Sequence, residues 1–170
     1  MFKYPRMMDK IVKNTPTVLY AYGSCNKVNR NSWESVAWCT KAFLRNCNGV
    51  LPWQTIKKPD ALTKGHVEGL ILVNTRGPIK IVDKEYGSAI ASFRVHALRR
   101  GAQNNELFRL LEINKGWTRA QIAALVSQKL MLHSNFKQGF SDEASAVTFK
   151  GLSSTDFIKL KEGVLKLLTN

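Results

Sequence analysis

Four side chains that could hold a small polar ligand lie around two short apolar runs: Tyr22, Asn26, Arg30 and Trp53. An indole face can lie against the apolar side of a sugar ring, while tyrosine and asparagine hydrogen-bond its hydroxyls. Arg30 could contact an acidic substituent or cap the helix that follows it. Other chemistry is poorly served. His66, His96 and His133 fall in different predicted elements with no shared spacing. The three cysteines, Cys25, Cys39 and Cys47, are odd in number and lack a C-x-x-C pair, so the expectation is buried free thiols, with neither a disulfide framework nor a zinc site. No metal or cofactor site is expected, and no catalytic residue can be assigned.

These residues depend on the elements that carry them. The run Thr17–Tyr22, stopped by Gly23-Ser24, predicts a buried strand. Asn31 and Glu34 form a potential capping box for a helix over 32–47, with Trp33, Val36, Ala37, Thr40, Phe43, Leu44 and Cys47 at helical spacing. Val50–Trp53 is a second strand, in which Pro52 is tolerable near an end or edge. Strand, helix and strand then make one βαβ unit. In a β/α barrel the carboxyl ends of the strands share one face, so Tyr22–Asn26 and Trp53-Gln54 would share a rim.

Downstream, Val67–Val73 predicts a third strand, and Ile79–Val82 predicts a strand that pairs back on it as a hairpin. Ser88 to about Ile113 predicts a helix with Ile90, Phe93, Ala97 and Leu98 on one face, interrupted at Gly101. Thr118 with Gln121 starts another helix, bearing Ile122, Leu125, Val126 and Leu130. Ser153 with Asp156 starts the last, bearing Phe157, Leu160, Val164 and Leu168. The expected fold class is α/β: a partial (β/α)-barrel with two or three parallel strands over 1–115, followed by a helical C-terminal segment, 116–170, packed on it.

The chain of 170 residues is 44% hydrophobic and 22% charged, enough to bury a core. Its formal net charge is +14, with 17 of the 26 Lys and Arg among residues 1–100. Such an excess makes nucleic acid the alternative partner, although no run exceeds two adjacent basic residues. The sequence contains no signal-peptide h-region and no apolar run of membrane-spanning length, so no membrane association is expected; localisation is left open.

Two blocks together resemble barrel proteins of glycoside hydrolase family 123. The first is the strand, polar loop and helix that lead to Gly49-Val-Leu-Pro-Trp53. The second is Ser92-Phe-Arg-Val-His-Ala-Leu-Arg-Arg-Gly-Ala-Gln-Asn-Asn-Glu-Leu107, in which Ser92, Arg94, Arg99, Gly101 and Glu106 fall on the family's helix pattern. Asn104 stands where that family usually has Asp. The resemblance covers roughly residues 17–112 and implies the C-terminal part of a barrel. It implies a carbohydrate ligand held at an aromatic rim, and either an N-terminal barrel half or self-association to complete the structure. The family's Asp-Glu catalytic pair has no strand-end counterpart: Asp142-Glu143 is the sole such dipeptide and lies in the polar Ser141–Ser145 loop. Hydrolysis needs two such groups, or one plus the substrate's amide, across the glycosidic bond. The expectation is therefore a glycoside-hydrolase-like piece without its catalytic acid pair.

Overall fold

The computed structural model describes residues 10–11, 13–25, 30–53, 55–57, 69–73, 79–81, 84–86, 89–137 and 146–170. Its first unit is β1 (Tyr20–Gly23), α1 (Trp33–Leu44) and β2 (Gly49–Pro52), with β1 and β2 parallel. The register pairs Tyr20 with Gly49 and Tyr22 with Leu51. A Cβ at Gly49 would lie 3.0 Å from the Tyr20 ring, a tight contact that the exposed ring would have to shift by a few tenths of an ångström to accept. The strands are closed at their start by a reciprocal pair: the Asn48 N–H donates to Leu19 O at 2.7 Å, and the Leu19 N–H donates to Asn48 Oδ1 at 2.9 Å.

α1 is buried over most of its circumference, from Glu34 to Thr40 and again at Ala42 and Phe43. A helix buried on that many sides must be covered on that many sides. It packs on β2, on α2 (Phe93–Lys115), on α3 (Arg119–Lys129) and on β9 (Ala146–Phe149). The buried stripe of α2 is Arg94, Ala97, Gly101, Asn104, Phe108 and Leu111, spaced three and four residues apart. Gly101 does not interrupt this helix. It lets α1 and α2 approach closely, since a Cβ there would lie 2.6 Å from Cys39 Cβ.

Gly116, at φ 64°, ends α2 in the left-handed conformation that glycine adopts freely. Thr118 and Gln121 form a complete capping box at the start of α3, as their spacing predicts. Ile122, Val126 and Leu130, with Phe157, Leu160 and Val164 of α4 (Ser154–Thr169), join the core cluster built on α1 and α2. Trp33 stacks on Phe157 at 4.8 Å between ring centroids.

Several expectations are corrected. Ala89–Ala91, read as the start of a helix, is strand β7, antiparallel to β4 (Ile71–Val73). Ile90 therefore lies on no helix, and Phe93 at the helix start is exposed rather than part of an apolar face. β4 also pairs in parallel with β3 (Ile56–Lys57), while β5 (Ile79–Ile81) pairs with β6 (Lys84–Tyr86) instead of returning to β4. Asn31 does cap α1 locally, accepting the Trp33 N–H at 3.0 Å, but Glu34 turns inward and completes no capping box. The hairpin of β8 (Ser134–Lys137) and β9 was not expected. The fold is α/β in class, and the strands among the described residues are divided among one three-stranded and three two-stranded sheets, which form no barrel there.

Candidate functional site

The carboxyl ends of β1 and β2 bring Tyr22 and Trp53 together. Pairing of Tyr22 with Leu51 puts those two side chains on one face, and the period of two along a strand returns Trp53 to it. The Trp53 N–H donates to Gly23 O at 2.8 Å, which extends the β1–β2 connection one residue beyond Pro52. The rings meet edge to face, centroids 6.0 Å apart and planes at 87°. Tyr22 is 48% exposed and Trp53 partly buried, so each ring keeps accessible surface. The same face continues toward the strand start with Leu51 and Tyr20, which are 54% and 58% exposed.

Asn26, Gln54, His66, Asp142 and Glu143 lie outside the described residues. Arg30 pairs with the helix that follows it. Its guanidinium is 3.6 Å from Glu34 Oε1, and the other oxygen of Glu34 accepts the Phe149 N–H at 3.2 Å. Glu34, 4% exposed, thus ties the start of α1 to β9. Two further bonds fix β9 against the end of β1: Val147 N–H to Ser24 O at 3.1 Å, and the Cys25 thiol to Val147 O, also at 3.1 Å. The floor behind the aromatic rim is therefore braced by a charge, a thiol and a backbone contact.

The cysteines are free and buried, as expected. Burial, then the negative charge of Glu34, pushes the Cys25 thiol far above its ordinary range; burial raises Cys39 to about 12 and Cys47 to about 11. Thiols so held stay protonated at neutral pH and make poor nucleophiles. His96 is exposed on α2 and His133 on the segment that precedes β8, and among the described residues no group of three or more His, Cys, Asp or Glu could hold a metal ion. Lys41 is partly buried, which lowers its pKa, with Arg45 adding to the effect. Its ammonium donates to Leu132 O at 2.9 Å and to Ser134 Oγ at 2.6 Å, bonds that pin α1 to the segment entering β8.

One concavity was not visible in the sequence. It lies between α1, β2 and α2, encloses about 480 Å³, and is lined by Phe43, Val50, Leu98, Arg99, Asn105 and Arg109 among others. Arg119 closes one end, held by a two-pronged ion pair to Glu112 at 2.7 and 3.1 Å and lying 3.6 Å over the Phe43 ring. Leu98, Ala102, Asn105 and Arg109 recur at helical spacing beside the buried stripe of α2, the one sequence signal that could have marked this wall.

Comparison with known proteins finds no matching family model, no similar curated protein and no similar solved structure. Among the described residues no helix is long and apolar enough to cross a membrane.

Proposed function

We propose that this chain is a glycoside-hydrolase-like carbohydrate-binding protein, the C-terminal part of a β/α-barrel, in which Trp53 and Tyr22 form the sugar platform. The observation that carries the reading is the edge-to-face pair of a half-exposed Tyr22 and a partly buried Trp53 at the carboxyl ends of two parallel strands. That is the end of a parallel α/β unit at which ligands are bound. Trp53 would stack on the apolar face of the ring, and the Tyr22 hydroxyl would bond a sugar hydroxyl. The resemblance to family 123 favours a 2-acetamido sugar, bound without hydrolysis because the catalytic acid pair has no strand-end counterpart in this chain. Arg30, paired with Glu34, supports the rim instead of meeting the ligand.

A nucleic-acid-binding reading draws on the net charge of +14 and on the ability of the same two rings to stack bases. The two readings separate in one experiment: fluorescence titration of the full chain with N-acetylglucosamine oligomers and, in parallel, with oligothymidylate over a range of salt. The sugar reading predicts saturable binding that is insensitive to salt and abolished in Trp53→Ala. Oligothymidylate binding that falls steeply with salt, with no response to sugar, would replace it with the nucleic-acid reading.

A further inference from the structure

We propose that the free edge of β2 and the cleft beside it dock an extended segment of a partner polypeptide, apolar along its length and carrying two carboxylates about four residues apart. Parallel strands are ordinarily covered on both faces and flanked by further strands. Here α1 covers one face only. Tyr20 and Leu51 remain exposed on the other, with Val18 62% exposed just before β1, and the outer edge of β2 pairs with no described strand.

The cleft is lined by Gly49, Val50 and Pro52 of β2 and by no residue of β1, with Ala42 and Phe43 of α1 and Leu98 of α2 completing its apolar wall, and its size is that of a binding pocket. Successive side chains of a strand point to opposite faces. A strand laid beside β2 would therefore send alternate side chains into the cleft and the rest onto the Tyr20–Leu51 face, covering both with one segment. Pro52 has no N–H to offer, so pairing would end there and the register would be fixed.

Charge selects the segment. Arg99 and Arg109 line the cleft from α2, and neither forms an ion pair with a carboxylate among the described residues, whereas Arg119 is already held by Glu112. Ten residues of helix separate them by about 15 Å. A strand covers that distance in four to five residues at roughly 3.3 Å each, and two side chains on one face must be an even number apart, giving four. Glu106, between the two arginines in the cleft wall, disfavours a third acid at the centre. A second copy of this chain is a poor occupant because each copy carries +14. The inference uses Tyr20, Leu51, the strand edge and α2, and stands apart from the sugar reading.

The test is fluorescence anisotropy of the full chain with a labelled nonapeptide of valine, isoleucine and threonine carrying two glutamates four positions apart. Saturable binding is expected, at least tenfold weaker for the same peptide with two lysines in place of the glutamates. Arg99→Glu/Arg109→Glu should reverse that preference, and Leu51→Lys should weaken both peptides while the far-ultraviolet circular dichroism and the melting curve stay unchanged. Failure to bind, equal binding of the two peptides, or an unaltered preference in the double arginine variant would overturn the proposal. So would light scattering that shows a dimer masking the site and unaffected by Leu51→Lys.

Discussion

The two sides of the βαβ unit are finished very differently. Behind it, α1 and α2 approach so closely that Gly101 has no room for a methyl group, and Trp38 and Phe108 are enclosed. In front, Tyr20, Tyr22 and Leu51 stand half exposed on a face that the described residues leave open. Packing density decides stability, whereas accessible aromatic surface decides recognition. The contrast therefore assigns stability to the helical layer and leaves the outer face of the sheet as the surface on which the proposed binding rests.

Substitutions can break that assignment. The largest effect is expected from Trp38→Ala, which removes a fully buried indole and should cost about 3–5 kcal/mol in urea unfolding. Gly101→Ala adds only one methyl group but places it against Cys39 and the Val36 backbone, and should cost about 1–3 kcal/mol by overpacking. Glu34→Ala leaves the buried Phe149 N–H without its acceptor and should cost about 1–3 kcal/mol by the same measurement.

The thiols give a pH signature. Folding holds Cys47 and Cys39 protonated up to about 11 and about 12, while the unfolded chain ionises them near 9.0. Above that pH the unfolded thiols bind fewer protons than the folded ones, so their contribution to stability should be level below about 9 and fall between 9 and 12, a fall that Lys41, whose pKa is lowered by burial, offsets in part. Denaturant midpoints across that window check the sign. The smallest effect sharpens the contrast: Leu51→Thr and Tyr20→Thr, on the open face, should change stability by no more than about 0.5 kcal/mol.

The order of the βαβ unit was legible because each of its parts declares itself locally, but Thr17–Tyr22, read as a buried strand, is a strand only over Tyr20–Gly23 and leaves Tyr20 and Tyr22 exposed because no described element covers that face. Gly23-Ser24 stops one apolar run, a helical period follows, and Asn48-Gly49 precedes the next strand. Tyr22 and Trp53 were placed at one rim from strand ends alone, and the structure sets them 6.0 Å apart. What was missed is set by partners distant in sequence. Ala89–Ala91 has helical composition but pairs with β4, so tertiary pairing overrides propensity. Gly101 looks like a helix breaker until Cys39 is known to lie against it. Glu34 has the spacing of a capping residue, yet its carboxylate meets Phe149, 115 residues away. Arg99 and Arg109 read as ordinary surface charges until β2 and α1 form a cleft beside them.

The claim that the open face is a sugar platform is tested most directly by NMR of the four tryptophan indole N–H signals during titration with N-acetylglucosamine. The account predicts a saturable shift confined to Trp53, with a Kd on the order of 1 mM, that disappears in Trp53→Ala and weakens in Tyr22→Ala. The Trp33, Trp38 and Trp117 signals should stay in place. An unmoved Trp53 signal at saturating sugar, or equal shifts of all four, would contradict it.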